Sequence, residues 1–260
     1  MDPECLKMAR RGWIPLEGET EQAFVERARH LEKLGSPLRE HAPEALELCQ
    51  ALYGISPDWV PCTLSSKGLS PWQGAATWLE ETPEGFQMPS IQVTTRCAKR
   101  LYSQHEFVAH ELVHAVRVPL KSPRFEEFFA YRTSSRSWRR WLGPLFRTPR
   151  EAALALAVVP LSWPAFWIPE SSFLLAMPLL LFALALARLS LDHRYFNRCL
   201  TKLESITQRP SQALQVMLHL NDREILAFAQ STPSKIKADI LEKCAQSLRW
   251  RIISTLFFEQ

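Results

Sequence analysis

The chain has few cysteines, and their arrangement excludes two common kinds of architecture. Six cysteines are scattered over 260 residues, and no two of them form a C-x-x-C pair. Small secreted domains that depend on disulfides carry cysteines at much higher density, and cysteine-based zinc sites use closely spaced pairs. We therefore expect free thiols in a reducing compartment rather than a disulfide scaffold or a zinc site built from these cysteines.

Signals for nucleic-acid binding, secretion and repetition are also missing. The net charge is a mild +4, and no Arg/Lys-rich arm or nucleic-acid fold motif is present, so nucleic acid is not expected as a partner. The opening Met1-Asp-Pro-Glu-Cys-Leu-Lys7 is not followed by an apolar run, so no cleavable signal peptide is expected. Any insertion into a membrane would then use an internal segment.

Composition and patterning favour an α+β fold that is mainly α-helical. Hydrophobic residues make up 47% of the chain and charged residues 22%, which is typical of a globular protein. Residues 75–80 and 86–95 are rich in strand formers and flank a turn at 81–85, which predicts a small antiparallel hairpin. Helical periodicity predicts helices at 22–34, 44–52, 101–117 and 124–141, and two or three more within 212–220, 222–230 and 234–258.

One short motif carries most of the chemical information. Residues 110–114 read His-Glu-Leu-Val-His, the H-E-x-x-H pattern. Residues four apart share a face of a helix, so His110 and His114 can each offer a ring nitrogen to one ion, and Glu111 can reach a water on that ion. The surrounding helix is largely apolar, and a bound metal ion would offset the cost of burying two imidazoles there. The pattern predicts a site for one Zn²⁺ ion per chain.

The next predicted helix can supply a third ligand. It begins Arg124-Phe-Glu-Glu-Phe-Phe-Ala-Tyr131. A break after His114 would let this helix fold back antiparallel and present an acid to the metal. The residues favour Glu127 as that ligand and leave Glu126 open.

Over residues 104–132 the chain resembles the gluzincins, and especially the membrane gluzincins of the CAAX-prenyl-protease type. These enzymes carry H-E-x-x-H on one helix and a glutamate ligand on a following one, often within Glu-x-x-Ala/Ser-Asp. Glu127-Phe-Phe-Ala130-Tyr131 is similar to that pattern, except that Tyr131 stands where the family usually has an aspartate. The resemblance implies a zincin-like metallopeptidase core within residues 56–150.

The resemblance also implies a mechanism and a substrate class. His110, His114 and Glu127 would hold zinc, Glu111 would act as the general base on a zinc-activated water, and Tyr131 is a candidate donor to the oxyanion. The substrate would be a protein or peptide. A strand at 75–80 or 88–95 could pair with its extended backbone, or the two strands could simply cover the core.

An apolar segment follows the motif region. Residues 152–169 and 171–187 are uncharged and separated by Glu170, which predicts a two-helix transmembrane hairpin within 151–190. Arginines and a lysine flank both ends, whereas the short connection has none, so the positive-inside rule places both termini and the catalytic region in the cytoplasm. A buried helical pair in a soluble protein and a shallow re-entrant hairpin stay open as alternatives.

Four regions result, with the helical segments 1–55 and 191–260 on either side of the core and the hairpin. The role of the C-terminal helices and the oligomeric state stay open. Two other functions compete with a peptidase. One is a non-catalytic zinc-binding protein, and the other is a membrane-anchored adaptor in which the H-E-x-x-H motif is accidental.

Overall fold

The computed structural model describes residues 1–34, 38, 42–70, 73–95, 104–168, 171, 174 and 176–258. Within these residues the fold is mainly helical with one small sheet, so the expected α+β class is confirmed. The helices before the apolar segment are α1 Pro3–Arg10, α2 Glu21–Leu34, α3 Pro43–Tyr53, α4 Gln104–Arg117, α5 Pro123–Ala130 and α6 Ser137–Leu142. Those that follow are α7 Pro149–Leu161, α8 Ala176–Glu204, α9 Pro210–Leu218, α10 Asp222–Gln230, α11 Pro233–Cys244 and α12 Leu248–Phe257.

The predicted hairpin is present and belongs to a three-stranded sheet. Strands β2 (Ala75–Glu81) and β3 (Gln87–Val93) pair antiparallel, with Thr77 opposite Ile91. Their turn is closed by a hydrogen bond from the Thr82 backbone N–H to the Phe86 carbonyl, and Gly85 adopts a positive φ of 82° there. A third strand, β1 (Cys62–Leu64), lies parallel to β3. It was missed because three residues are too short to show a period. The order β1–β3–β2 places β2 at an edge.

The predicted helix over 124–141 is wrong as a single element. Helix α5 ends at Ala130 and passes through a 3₁₀ turn, Tyr131–Thr133, before the chain becomes extended at Ser134. The reason is a contact with another helix. Ser134 and Ser135 direct a hydroxyl and a backbone N–H to the carboxylate of Glu106 on α4, and such polar contacts compete with helix continuation. The segment over 234–258 is not one helix either, because α11 ends at Cys244 and α12 begins at Leu248 after Ser247, whose backbone is extended. The remaining predicted helices are present within two residues at their described ends, and residues 101–103 lie outside the described part.

Helix α4 runs through the middle of the core. Its apolar side chains Val108, Leu112, Val113 and Val116 are fully buried. At its end the buried Arg117 donates to the carbonyls of Leu218 and Leu220 and stacks over a phenylalanine ring of α5. A buried guanidinium needs such acceptors because desolvation is costly. These contacts fix α4 to the C-terminal helices.

Helix α5 is held from two directions. The carboxylate of Asp222, the first residue of α10, accepts hydrogen bonds from the Arg124 and Phe125 backbone N–H groups and so caps the start of α5. The Arg124 side chain donates to Asp192 of α8 at 2.9 and 2.7 Å. Three aromatic side chains of α5 then pack on Phe196 of α8. Helix α5 therefore packs against α8, which helps to fix its position.

The apolar segment forms two helices of very different length. Helix α7 has 13 residues, which is about 20 Å, whereas a bilayer core is about 30 Å thick. Helix α8 has 29 residues and is the one described helix long and apolar enough to cross a membrane. It begins later than predicted and continues to Glu204, well past residue 187. Residues 169 and 170, the expected turn, lie outside the described part.

The side chains of this segment are exposed rather than packed. Only 11% of the most apolar stretch of α8 is buried. Among the described residues, most of the exposed large apolar side chains fall between Leu154 and Leu184. A pair of buried core helices would not show this exposure, and an exposed apolar surface of this extent is typical of an interaction with lipid or with another protein.

The five cysteines in the described part are free thiols, as the sequence predicts, and Cys97 lies outside it. One cluster of buried side chains draws on α1 to α5 and on α8 to α12. The N-terminal and C-terminal helices therefore share a core with the central region, although the four-region division itself stays a prediction.

We expect Asp192 to be the main electrostatic link between α8 and the rest of the fold. It is 2% exposed and accepts hydrogen bonds from both Arg124 and Arg147. Replacing Asp192 with Ala should lower the free energy of unfolding by about 2–3 kcal/mol. This is less than for a fully buried pair because both arginines can reach solvent. The measurement is chemical unfolding in detergent. Glu204→Ala, an exposed acid on the same helix, is the control and should change it by less than about 0.5 kcal/mol. Equal losses of unfolding free energy in the two variants would contradict this role for Asp192.

Candidate metal centre

The two histidines of the motif lie on one face of α4 with their rings facing each other. Their Nε2 atoms are 3.2 Å apart, and the ring centroids are 4.9 Å apart. Both side chains are half-buried. This is the arrangement expected for residues one helical turn apart, and it leaves both Nε2 atoms directed at the same point.

Glu127 of α5 completes a three-residue cluster. Its carboxylate oxygens lie 3.6 Å from the Nε2 of His110 and 3.6 Å from the Nε2 of His114. One possible ligand atom from each of the three residues falls within 4.8 Å of the others. Ligand atoms about 2.0–2.1 Å from a tetrahedral zinc ion are roughly 3.3 Å apart. The observed spacing of 3.2 and 3.6 Å fits that geometry, so these residues can hold Zn²⁺.

Glu126 takes a different position, which separates the two acids that the sequence left open. Its Oε1 lies 3.0 Å from the Nδ1 of His114, on the side of the ring away from the cluster. A carboxylate that accepts from the second nitrogen of a histidine fixes the tautomer and the ring orientation. Glu126 is therefore placed to orient His114, whereas Glu127 is placed where it could bind a metal ion.

His110 is supported from the end of α5. Its ring hydrogen-bonds the backbone of Ala130 and packs edge-on against the ring of Tyr131, with centroids 4.7 Å apart. Tyr131 in turn lies on Gly143, where an added Cβ would come within 2.4 Å of the ring, so a glycine is needed at this close approach. The structure thus places Tyr131 beside the cluster, against the ring of His110.

The residues that contact α4 from α5 and the turn after it increase in residue number as those of α4 decrease. Going from residue 114 to 110 to 106 of α4, the contacts move from 126 and 127 to 130 and 131 and then to 134 and 135. Helices α4 and α5 are therefore antiparallel, as predicted from the short break between them. Ala130 at the crossing is fully buried and small enough for the helices to approach.

Glu111 faces the sheet rather than the cluster of ligands. Its Oε2 accepts a hydrogen bond of 2.7 Å from the hydroxyl of Thr77 on β2. Its charge acts on His114 and on Glu127, so it lies close enough to influence both. A carboxylate that is near the cluster but oriented by another element suits a general base better than a ligand.

Burial and the acid cluster shift the pKa values of the site in opposite directions. Burial lowers the pKa of His110 well below 6.5, which keeps that imidazole neutral. Burial also lowers the pKa of His114. The hydrogen bond to Glu126 and the charges of Glu127 and Glu111 outweigh burial, so the pKa of His114 is raised to about 9. Burial raises the pKa of Glu127 to about 7, with Glu111 and Glu126 adding to the effect. A divalent cation would relieve the repulsion among the three acids and displace the shared protons.

Sequence reasoning identified the cluster but missed its supports. Thr77 stands 34 residues before Glu111 and has no spacing that links it to the motif. The orienting role of Glu126 depends on the rotation of α5 about its axis, which no sequence pattern specifies. Among the other described histidines, His105 pairs with Glu44 at 2.6 Å and His219 is buried beside the C-terminal helices.

Comparison with protein-family models, with curated proteins and with solved structures gives no match.

The two acids of α5 should affect metal binding very differently. Glu127→Ala removes a ligand and should abolish stoichiometric zinc binding, as should His110→Ala. Glu126→Ala removes only the group that orients His114, so zinc should still bind with about 10- to 100-fold lower affinity. Zinc content by mass spectrometry and competition with a chelator of known affinity measure both effects. Full zinc content in Glu127→Ala, or none in Glu126→Ala, would reverse the assignment.

Proposed function

We propose that this chain is a membrane-anchored, zinc-dependent endopeptidase with its active site on the cytoplasmic side. The observation that carries the proposal is the cluster of His110, His114 and Glu127, at zinc-binding distances, with the separate carboxylate of Glu111 next to it. A purely structural zinc site is closed by four protein ligands, whereas a catalytic site has three and keeps one position open. Three candidate ligands and the separate carboxylate of Glu111 therefore support a catalytic zinc site rather than a structural or storage site.

The chemistry is hydrolysis of a peptide bond. A zinc ion held by the three ligands would lower the pKa of a coordinated water toward about 7 and polarise the scissile carbonyl. Thr77 holds Oε2 of Glu111, which leaves Oε1 free to accept the proton of the attacking water. The same carboxyl group then delivers that proton to the leaving amine. Tyr131, packed against His110, is the candidate donor to the oxyanion.

Strand β2 is the better candidate for binding the substrate backbone. It is an edge strand, whereas β3 is paired on both sides. Thr77 joins β2 directly to Glu111, so a peptide added to the free edge would lie beside the general base. Main-chain hydrogen bonds of this kind bind extended peptides with little dependence on sequence. The proposed substrate is therefore an extended segment of a protein or peptide.

The membrane anchor is proposed as a hairpin of α7 and α8. Arg188 of α8 donates to both carboxylate oxygens of Glu151 in the first turn of α7, so the charged ends of the two helices lie at one level. Exposed apolar side chains follow on both helices beyond that level. The arginines before α7 and after α8 favour the cytoplasmic side for both flanks and for the metal site.

Removing the general base should stop turnover without loss of metal. Glu111→Gln is nearly isosteric and should lower kcat by about 10²–10⁴-fold while zinc content stays at wild-type level. Hydrolysis of quenched fluorescent peptides, with and without chelator, gives the activity, and mass spectrometry gives the zinc. Glu242→Gln on α11, an exposed acid far along the chain, is the matched control.

The outcomes of that experiment separate the competing functions. Full activity in Glu111→Gln would remove the general-base assignment. Zinc binding with no peptide hydrolysis in the wild type would favour a non-catalytic zinc-binding protein. A wild-type chain that binds no zinc would leave only a membrane-anchored adaptor.

The membrane anchor predicts different effects for two exposed leucines. Leu180 on α8 and Leu241 on α11 are 60% and 70% exposed, so arginine at either position would be tolerated in a water-soluble chain. In a bilayer, Leu180→Arg should cost about 2.5–3.5 kcal/mol of insertion free energy and move the protein out of the carbonate-resistant membrane fraction. Leu241→Arg should leave that fraction unchanged. Identical behaviour of the two variants would contradict the anchor.

A further inference from the structure

A basic cavity lies between α6 and the part of α8 that continues past the apolar segment. Its volume is about 190 Å³. The polar residues that line it are Arg132, Ser137, Arg140 and His193, with aromatic rings around them. It is separate from the metal cluster, because Phe128 of α5 and Arg132 of the following 3₁₀ turn both lie against Phe196 of α8.

The guanidinium of Arg132 has no anionic partner among the residues that the structure describes. It lies 5.0 Å from the ring centroid of Phe196 but forms no ion pair or hydrogen bond there. Glu204 influences it through charge alone. Burial lowers its pKa, and the charge of Arg140 lowers it further. A half-buried guanidinium without an acceptor carries a desolvation cost that a bound anion would offset.

A second guanidinium is fixed beside the first. Arg140 donates from Nη1 to the carbonyls of Ser134 and Ser135 at 2.9 and 3.1 Å. Its Nη2 lies 3.4 Å from the hydroxyl of Ser137, which lines the same cavity. Two like charges that lie near each other, with the Ser137 hydroxyl beside one of them, are unfavourable alone and become favourable around an anion.

The cavity also lies close to the level where the apolar surface ends. His193 is five residues beyond Arg188 on α8, a rise of about 7.5 Å. Its ring stacks on Trp141 of α6, and its Nε2 hydrogen-bonds the carbonyl of that tryptophan. Trp138 and Trp141 are both exposed on α6, and exposed tryptophans of this kind favour the headgroup region of a membrane.

We propose that this cavity binds a phosphate group through the guanidinium groups of Arg132 and Arg140 and the hydroxyl of Ser137. The proposed membrane anchor would bring a phospholipid headgroup to the level of the cavity, and free phosphate has the same chemistry. A guanidinium group can bind phosphate in a bidentate manner, so the two arginines of this cavity suit that ligand better than lysines would. The site is independent of the metal cluster and of any peptidase activity.

Calorimetric titration of the full chain in an uncharged detergent tests the proposal. The probes are inorganic phosphate and a short-chain phosphatidate below its critical micelle concentration, each at an ionic strength held constant with chloride. Arg132→Gln should weaken binding by about tenfold or more, because a charge-assisted contact is lost. Arg194→Gln removes the same charge from an exposed position on α8 outside the cavity, and it should bind like the wild type.

The outcomes distinguish the source of the phosphate. Binding of phosphatidate alone identifies a lipid headgroup, and equal binding of both probes shows that the phosphate group suffices. Absence of binding by either probe, or equal binding by Arg132→Gln and the wild type, would overturn the proposal. Thermal unfolding checks that Arg132→Gln is folded, and its unfolding temperature should not fall, because the side chain removed is a half-buried charge without a described ion-pair partner. Ser137→Ala, at an exposed position, gives a second test and should weaken binding about three- to tenfold.

Discussion

The close antiparallel approach of α4 and α5 is the constraint on which the candidate site depends. Helix α4 offers two imidazoles on one face, and α5 offers two adjacent acids. Adjacent helical residues point about 100° apart, so one acid faces the Nε2 atoms and the other faces the outer nitrogen of His114. Neither helix has this arrangement alone. The buried Ala130 is small enough to permit the approach, and Gly143 leaves room for the ring of Tyr131 next to His110.

Helix α5 is short, and its position is determined by its neighbours. Eight residues form few intrahelical hydrogen bonds, so isolated helices of this length are unstable. The cap from Asp222, the ion pair with Asp192 and the aromatic packing on Phe196 supply the missing stabilisation. Two of these three supports come from α8, the helix that also carries the exposed apolar surface. The geometry of the candidate metal ligands is therefore coupled to the helix that is proposed to enter the membrane.

The sequence predicted those features that depend on local pattern. Helical spacing placed His110 and His114 on one face, and strand-forming residues around a turn predicted the β2–β3 hairpin. The end of α5 could not be predicted, because it depends on Glu106, which is distant in sequence from the two serines that it binds. The roles of Glu126 and Thr77 depend on helix rotation and on how the sheet packs against α4. The lengths of α7 and α8 also differ from a symmetric hairpin, since apolar composition alone does not show where a helix begins.

Zinc K-edge absorption spectroscopy of the purified full-length chain tests the central claim most directly, because it reports the ligand atoms themselves. A site on His110, His114 and Glu127 predicts two nitrogen and one or two oxygen neighbours at about 2.0–2.2 Å, with outer-shell scattering from two imidazole rings. Sulfur neighbours at about 2.3 Å, or a shell without imidazole scattering, would contradict the site.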